Sequence, residues 1–142
     1  MFIVTKIEHL NITVPDIDDA IKFIQIVAPD FKVRMDVKPH GSYRWAHIGN
    51  DEYYFALQES HLDSEPRKPR KAYKNFGINH IALVVEDISK VETQLINAGY
   101  KRSIDTPTEE YRKRLYFFDH SGFEWELVEY SSKNPSEKYL YE

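Results

Sequence analysis

No cysteine occurs among the 142 residues. That absence removes disulfides, thiolate nucleophiles, and every zinc or iron–sulfur site built on sulfur ligands. Positive charge is not in surplus either: 19 Lys and Arg stand against 23 Asp and Glu, a formal charge of −4. Without a basic footprint, nucleic acid is not an expected partner. No apolar run approaches the ~20 residues that a membrane-spanning helix needs. The opening segment, Met1-Phe2-Ile3-Val4-Thr5-Lys6, lacks the basic, apolar and cleavage regions of a secretory signal. The expectation is a soluble cytoplasmic protein with no membrane partner.

What is present is ordinary globular composition, with 42% hydrophobic and 30% charged residues. The length favours one domain with a real core. Aromatics at 14% suit β-structure and a lined cavity. The informative feature is a repeat. Ile7-Glu8-His9-Leu10-Asn11-Ile12-Thr13-Val14 is matched by Ile78-Asn79-His80-Ile81-Ala82-Leu83-Val84-Val85. Each run is strand-like, carries a histidine in third place, and is followed by an acidic start signal and a helical period. The offset is constant at 71 residues (9 to 80, 16 to 87), which marks a duplicated structural unit.

Taken in order, the first strand places His9, Asn11 and Thr13 on one face and Leu10, Ile12 and Val14 on the other. Asp16 is an expected N-cap, and Ile17, Ala20, Ile21, Ile24 and Val27 form an apolar helical stripe over 16–28. Three β-runs follow at 31–35, 43–48 and 53–57, separated by turn residues. The second unit repeats this order: a helix over 87–98 closed by Gly99, then strands near 100–104, 114–118 and 123–130. The chain thus reads as a single α+β domain of two βαβββ units, 1–59 and 77–131. A linker at 60–76 and a polar, loosely held tail at 132–142 complete it. The linker's basic cluster, Arg67-Lys68-Pro69-Arg70-Lys71, reads as a solvated loop, with binding of an anionic substrate as the alternative.

Toward the unit ends the offset falls to 70, pairing Leu57 with Leu127 and Arg44 with Arg114. On that register Ala56 corresponds to Glu126. Alternation puts Glu124, Glu126 and Val128 on one strand face, and a carboxylate in so apolar a run needs a cation, a metal or water. Two histidines on equivalent strands and one strand carboxylate are the components of a 2-His-1-carboxylate metal site. A hydrogen-bonded core histidine is the alternative at each position. His40, His47, His61 and His120 read as exposed or turn residues.

The blocks 9–20, 80–88 and 114–127 together resemble the vicinal oxygen chelate superfamily, which includes glyoxalase I, extradiol dioxygenases, fosfomycin-resistance enzymes and bleomycin-binding proteins. The resemblance implies a cupped mixed β-sheet and one divalent ion (Fe, Mn, Ni or Zn) on His9, His80 and Glu126. The family's fourth ligand slot falls on Ala56, which cannot coordinate, and this argues against a typical glyoxalase I. Gln58 shares that face but lies ~6–7 Å further along the strand. Tyr116 sits where dioxygenases often carry an acid/base tyrosine, so Glu126 and Tyr116 are the expected catalytic pair. Asn11, Thr13, Tyr54 and Gln58 are the expected substrate pocket, and a homodimer is the expected assembly. The implied function is a metal-dependent lyase or dioxygenase acting on a small oxygen-rich substrate. The rival readings are a non-catalytic small-molecule-binding protein and a metal-free structural module.

Overall fold

The structure, a computed structural model, describes residues 4–61 and 70–140. Two compact units make it up. The first carries β1 (His9–Thr13), α1 (Ile17–Val27), β2 (Lys32–Val37), β3 (Trp45–Gly49) and β4 (Tyr54–Gln58). The second carries β5 (His80–Val84), α2 (Ile88–Asn97), β6 (Lys101–Arg102), β7 (Arg112–Phe118), β8 (Glu124–Tyr130) and a short α3 (Pro135–Lys138). Each unit is therefore βαβββ. The tail differs from expectation. Asn134 caps α3 by accepting from the Ser136 N–H at 3.1 Å, with a proline in the first turn, so the segment is held by local bonds.

The helices begin where acidic side chains accept the free amides of the first turn. Asp16 accepts from the Asp19 N–H and Asp87 from the Lys90 N–H, both at 3.0 Å. The stripe on α1 buries Ile17, Ile24 and Val27 and also Phe23, while Ala20 and Ile21 are only half-buried. On α2 the buried positions are Ile88, Val91 and Leu95. That helix ends with Gly99 at φ 89°, while the Tyr100 N–H reaches the Leu95 carbonyl and the Gly99 N–H reaches that of Ile96. This is the Schellman arrangement that favours glycine at the left-handed position.

The two four-stranded sheets share one topology, β1-β4-β3-β2 and β5-β8-β7-β6. The first strand of each runs parallel to the last, and the remaining pairs are antiparallel. The register carries the duplication down to single residues. Asn11 lies opposite Ala56 as Ala82 lies opposite Glu126, so Ala56 and Glu126 are equivalent. The Arg44–Arg114 match does not hold. Trp45 faces Gln58 and Arg114 faces Val128, so Arg114 corresponds to Trp45 and Tyr116 to His47. Arg44 instead binds Asp18 at 2.9 Å and Asp36 at 2.7 Å. These partners hold both carboxyls below their ordinary range.

One face of each sheet is core. Ala46, Ile48 and Leu57 are closed off in the first unit, Phe117 and Leu127 in the second. Strand alternation then commits the opposite face to the polar set, because residues two apart share a side. That face carries every predicted site residue.

Candidate metal and acid–base site

Strands β5, β7 and β8 assemble the cluster in the second unit. His80 stands at the start of β5, directly opposite Glu124 and one pleat from Glu126 on β8. Its Nε2 is 3.0 Å from the Glu126 carboxylate, and its Nδ1 is 3.7 Å from Glu124 and 3.0 Å from the Tyr73 hydroxyl. Tyr116, across from Glu126 on β7, meets the His80 ring edge-on with centroids 5.4 Å apart. Both carboxylates are buried, at 6% and 9% exposure for Glu124 and Glu126, which is costly unless they are paired. The pairing is complete. Glu124 accepts from Tyr73 and Ser103, while Glu126 faces His80 and, at 3.8 Å, the Arg114 guanidinium.

Burial is the first cause that pushes the Tyr116 hydroxyl above its ordinary pKa, and the charge of Glu126 adds to it. The phenol therefore keeps its proton at neutral pH. Burial and the bond to Glu124 likewise push Tyr73 up to about 12. Arg114 is tied to Glu109 at 2.7 Å and reaches the Tyr116 hydroxyl at 3.4 Å. A cavity of about 340 Å³ in this unit, lined by residues that include Glu109, Arg112 and Arg114, shares only Arg114 with the cluster.

In the first unit His9 stacks on Tyr54, with centroids 4.8 Å apart and planes at 13°. Its Nδ1 is 3.0 Å from Glu8, which also accepts from the Tyr54 hydroxyl. Asn11 donates to the Ala56 carbonyl and to Gln58, and Gln58 contacts His61 at 3.3 Å. Thr13 is exposed at the end of β1, opposite Gln58. His40 and His120 are exposed, as read; His61 is exposed but stacks on Tyr43.

His47 is the correction. It lies on β3, inside the β-run expected at 43–48, but is half-buried rather than exposed, with its ring 4.7 Å from that of Tyr54. The guanidinium of Arg34 lies over the same Tyr54 ring at 4.7 Å. Strand pairing slips between Val33 and Met35, which makes Arg34 the extra residue of β2. The period-2 pattern at Trp45-Ala46-His47 was a signal that could have placed His47 beside His9.

Burial, then the charges of Arg34 and His9, holds the His47 pKa below its ordinary value. The unfolded chain therefore binds the His47 proton more readily than the folded one as pH falls below about 6.5. Stability should fall through that window and level off below the folded pKa. Urea titrations between pH 5 and 7.5 should show a shallower pH slope for His47→Gln. Equal slopes would remove His47 as the cause.

The expected three-donor set is thus two donors gathered in the second unit, His80 and Glu126, and a third, His9, carried by the first. Among the described residues, no group of three or more His, Cys, Asp or Glu is close enough to hold a metal ion.

A profile of the Glyoxalase/Bleomycin resistance protein/Dioxygenase superfamily matches residues 6–127. The chain belongs to that superfamily. No curated protein matches it. Among solved structures it is similar to a glyoxalase family protein from Bacillus cereus, at 15% identity and TM-score 0.74, over 92% of this chain and 97% of that one. It is also similar to the fosfomycin resistance protein FosX from Listeria monocytogenes complexed with Mn(II) and sulfate. There the identity is 12% and the TM-score 0.67, over 97% and 100% of the two chains. The trypanothione-dependent glyoxalase I of Leishmania major is 20% identical, with TM-score 0.66, over 89% and 87%. At such identities these likenesses establish the fold, and members of one fold differ in chemistry.

Proposed function

We propose that this superfamily member is a metal-dependent enzyme acting on a small oxygen-rich substrate, with His80 and Glu126 as donors to one divalent ion and His9 the equivalent donor on the first unit's opening strand. The observation that carries the reading is the 3.0 Å approach of His80 Nε2 to the Glu126 carboxylate. Two donors set ~2.0–2.2 Å from one ion at a right angle lie about 3 Å apart, so the pair fits. When bound, such an ion supplies Lewis acidity and chelates adjacent substrate oxygens. Tyr116 holds a phenolic proton beside the same carboxylate, where it can donate to a substrate oxygen. Ala56, equivalent to Glu126, offers no donor, which favours a three-donor lyase or dioxygenase over a four-donor glyoxalase I. Asn11, Thr13, Tyr54 and Gln58, on paired strands of the first unit, are the proposed substrate-binding residues of that unit.

The reading includes a homodimer, supported by the large apolar side chains Ile7, Phe76, Ile78 and Val84 exposed on or beside β1 and β5. Elemental analysis of untagged, chelator-free protein, taken from the light-scattering peak, tests both parts. The expected result is about one divalent ion per chain in a particle of two chains. Metal-free protein that takes up none would favour the binding-protein reading, which the existing His9–Glu8 bond and Tyr54 stack support.

A further inference from the structure

We propose that Tyr73 and Glu124 form a positioning device for His80, fixing the tautomer of its ring and turning Nε2 toward Glu126. The inference rests on the metal reading above but makes a separate claim about the protein without metal. Tyr73 comes from the linker expected at 60–76, of which residues 62–69 lie outside the described residues. Among the described residues it is the sole non-glycine at positive φ, 64°. A left-handed backbone is strained for a residue with a side chain and persists only where its surroundings hold it. Here the Tyr73 N–H donates to Asn79 at 2.6 Å, and its hydroxyl reaches Glu124.

Counting protons gives the direction of each bond. A phenol has one O–H to donate, and Tyr73 gives it to Glu124. The other Glu124 oxygen takes the Ser103 O–H. At the 3.0 Å contact with His80 Nδ1, the Tyr73 oxygen is therefore the acceptor, and Nδ1 carries the proton. A neutral ring then has its lone pair on Nε2, the atom 3.0 Å from Glu126. Two electron-rich atoms at that distance repel unless a proton or a metal cation lies between them. With Nδ1–H fixed, it is Nε2 that faces Glu126 and is free to exchange a proton for a metal ion. A carboxylate behind an imidazole, reached here through a phenol, also raises its basicity as a ligand.

Long-range ¹⁵N–¹H spectra of the metal-free protein at pH 8, with Zn(II) calorimetry on the same samples, test the device. Wild type should show the proton on Nδ1. Tyr73→Phe removes only a hydroxyl, and Glu124→Gln keeps the shape while losing the charge. Both should shift His80 toward the Nε2–H tautomer and weaken Zn(II) binding about 10–100-fold. A proton on Nε2 in wild type overturns the proposal, as do variants that keep wild-type spectra and affinity. The two readings fail separately. A tautomer lost in both variants, with no Zn(II) binding by wild type, leaves the device standing and removes the metal. Equal Zn(II) binding by all three proteins with unchanged spectra does the reverse.

Discussion

In a divalent-metal titration, wild-type protein is expected to gain roughly 2.7 kcal/mol of stability at a hundredfold excess over Kd, and His80→Ala to gain nothing. Binding to the native state alone produces that gain, because the unfolded chain does not bring its donors together. His80 is the residue to change because it touches Glu126 directly and its other nitrogen is anchored by Tyr73. His61→Ala and His120→Ala should retain the full gain, since His61 is engaged with Gln58 and Tyr43 and His120 with Tyr100. Thermal melts across the titration read all four proteins. Parallel curves for wild type and His80→Ala would make the histidine a cavity residue and leave the superfamily fold without a metal role.

Phe117→Ala is expected to destabilise the protein by about 3–5 kcal/mol, the usual cost of emptying a fully enclosed aromatic site. Phe117 has no exposed surface and lies across from Trp125 on β8, so its loss leaves a cavity in the second sheet's core. For a chain of this size the melting temperature should drop by about 10 °C. The neighbouring Phe118 is 38% exposed and points to the other side. Phe118→Ala should cost less than about 1 kcal/mol. Urea unfolding checks both, with the midpoint moving and the slope unchanged. Similar losses at the two positions would contradict the alternation on which the site's facing depends.

Much of the fold was legible because its signals are local. A strand repeats every two residues and a helix every 3.6, so His9, His80 and Glu126 could be assigned to faces without any partner in view. Asp16 and Asp87 announced their helices by side-chain chemistry that works within a single turn. The 71-residue offset of the histidine strands showed that one unit had been written twice. The third strands were misjudged because lettering alone aligned Arg44 with Arg114. Hydrogen-bond register, which no local pattern encodes, aligned Trp45 with Arg114 instead.

By itself, then, the sequence determined the two βαβββ units, their superfamily, and the polar face that holds His9, His80, Glu126 and Tyr116. Tertiary structure alone decided which of those side chains meet. It brought His80 to Glu126, set His47 and Arg34 against Tyr54, and drew Tyr73 out of the connector onto Glu124. The physical reason lies in range. Periodicity and capping act over one turn or one pleat, whereas cross-strand register, a slipped pairing at Arg34 and a left-handed backbone at Tyr73 depend on residues far away in the chain.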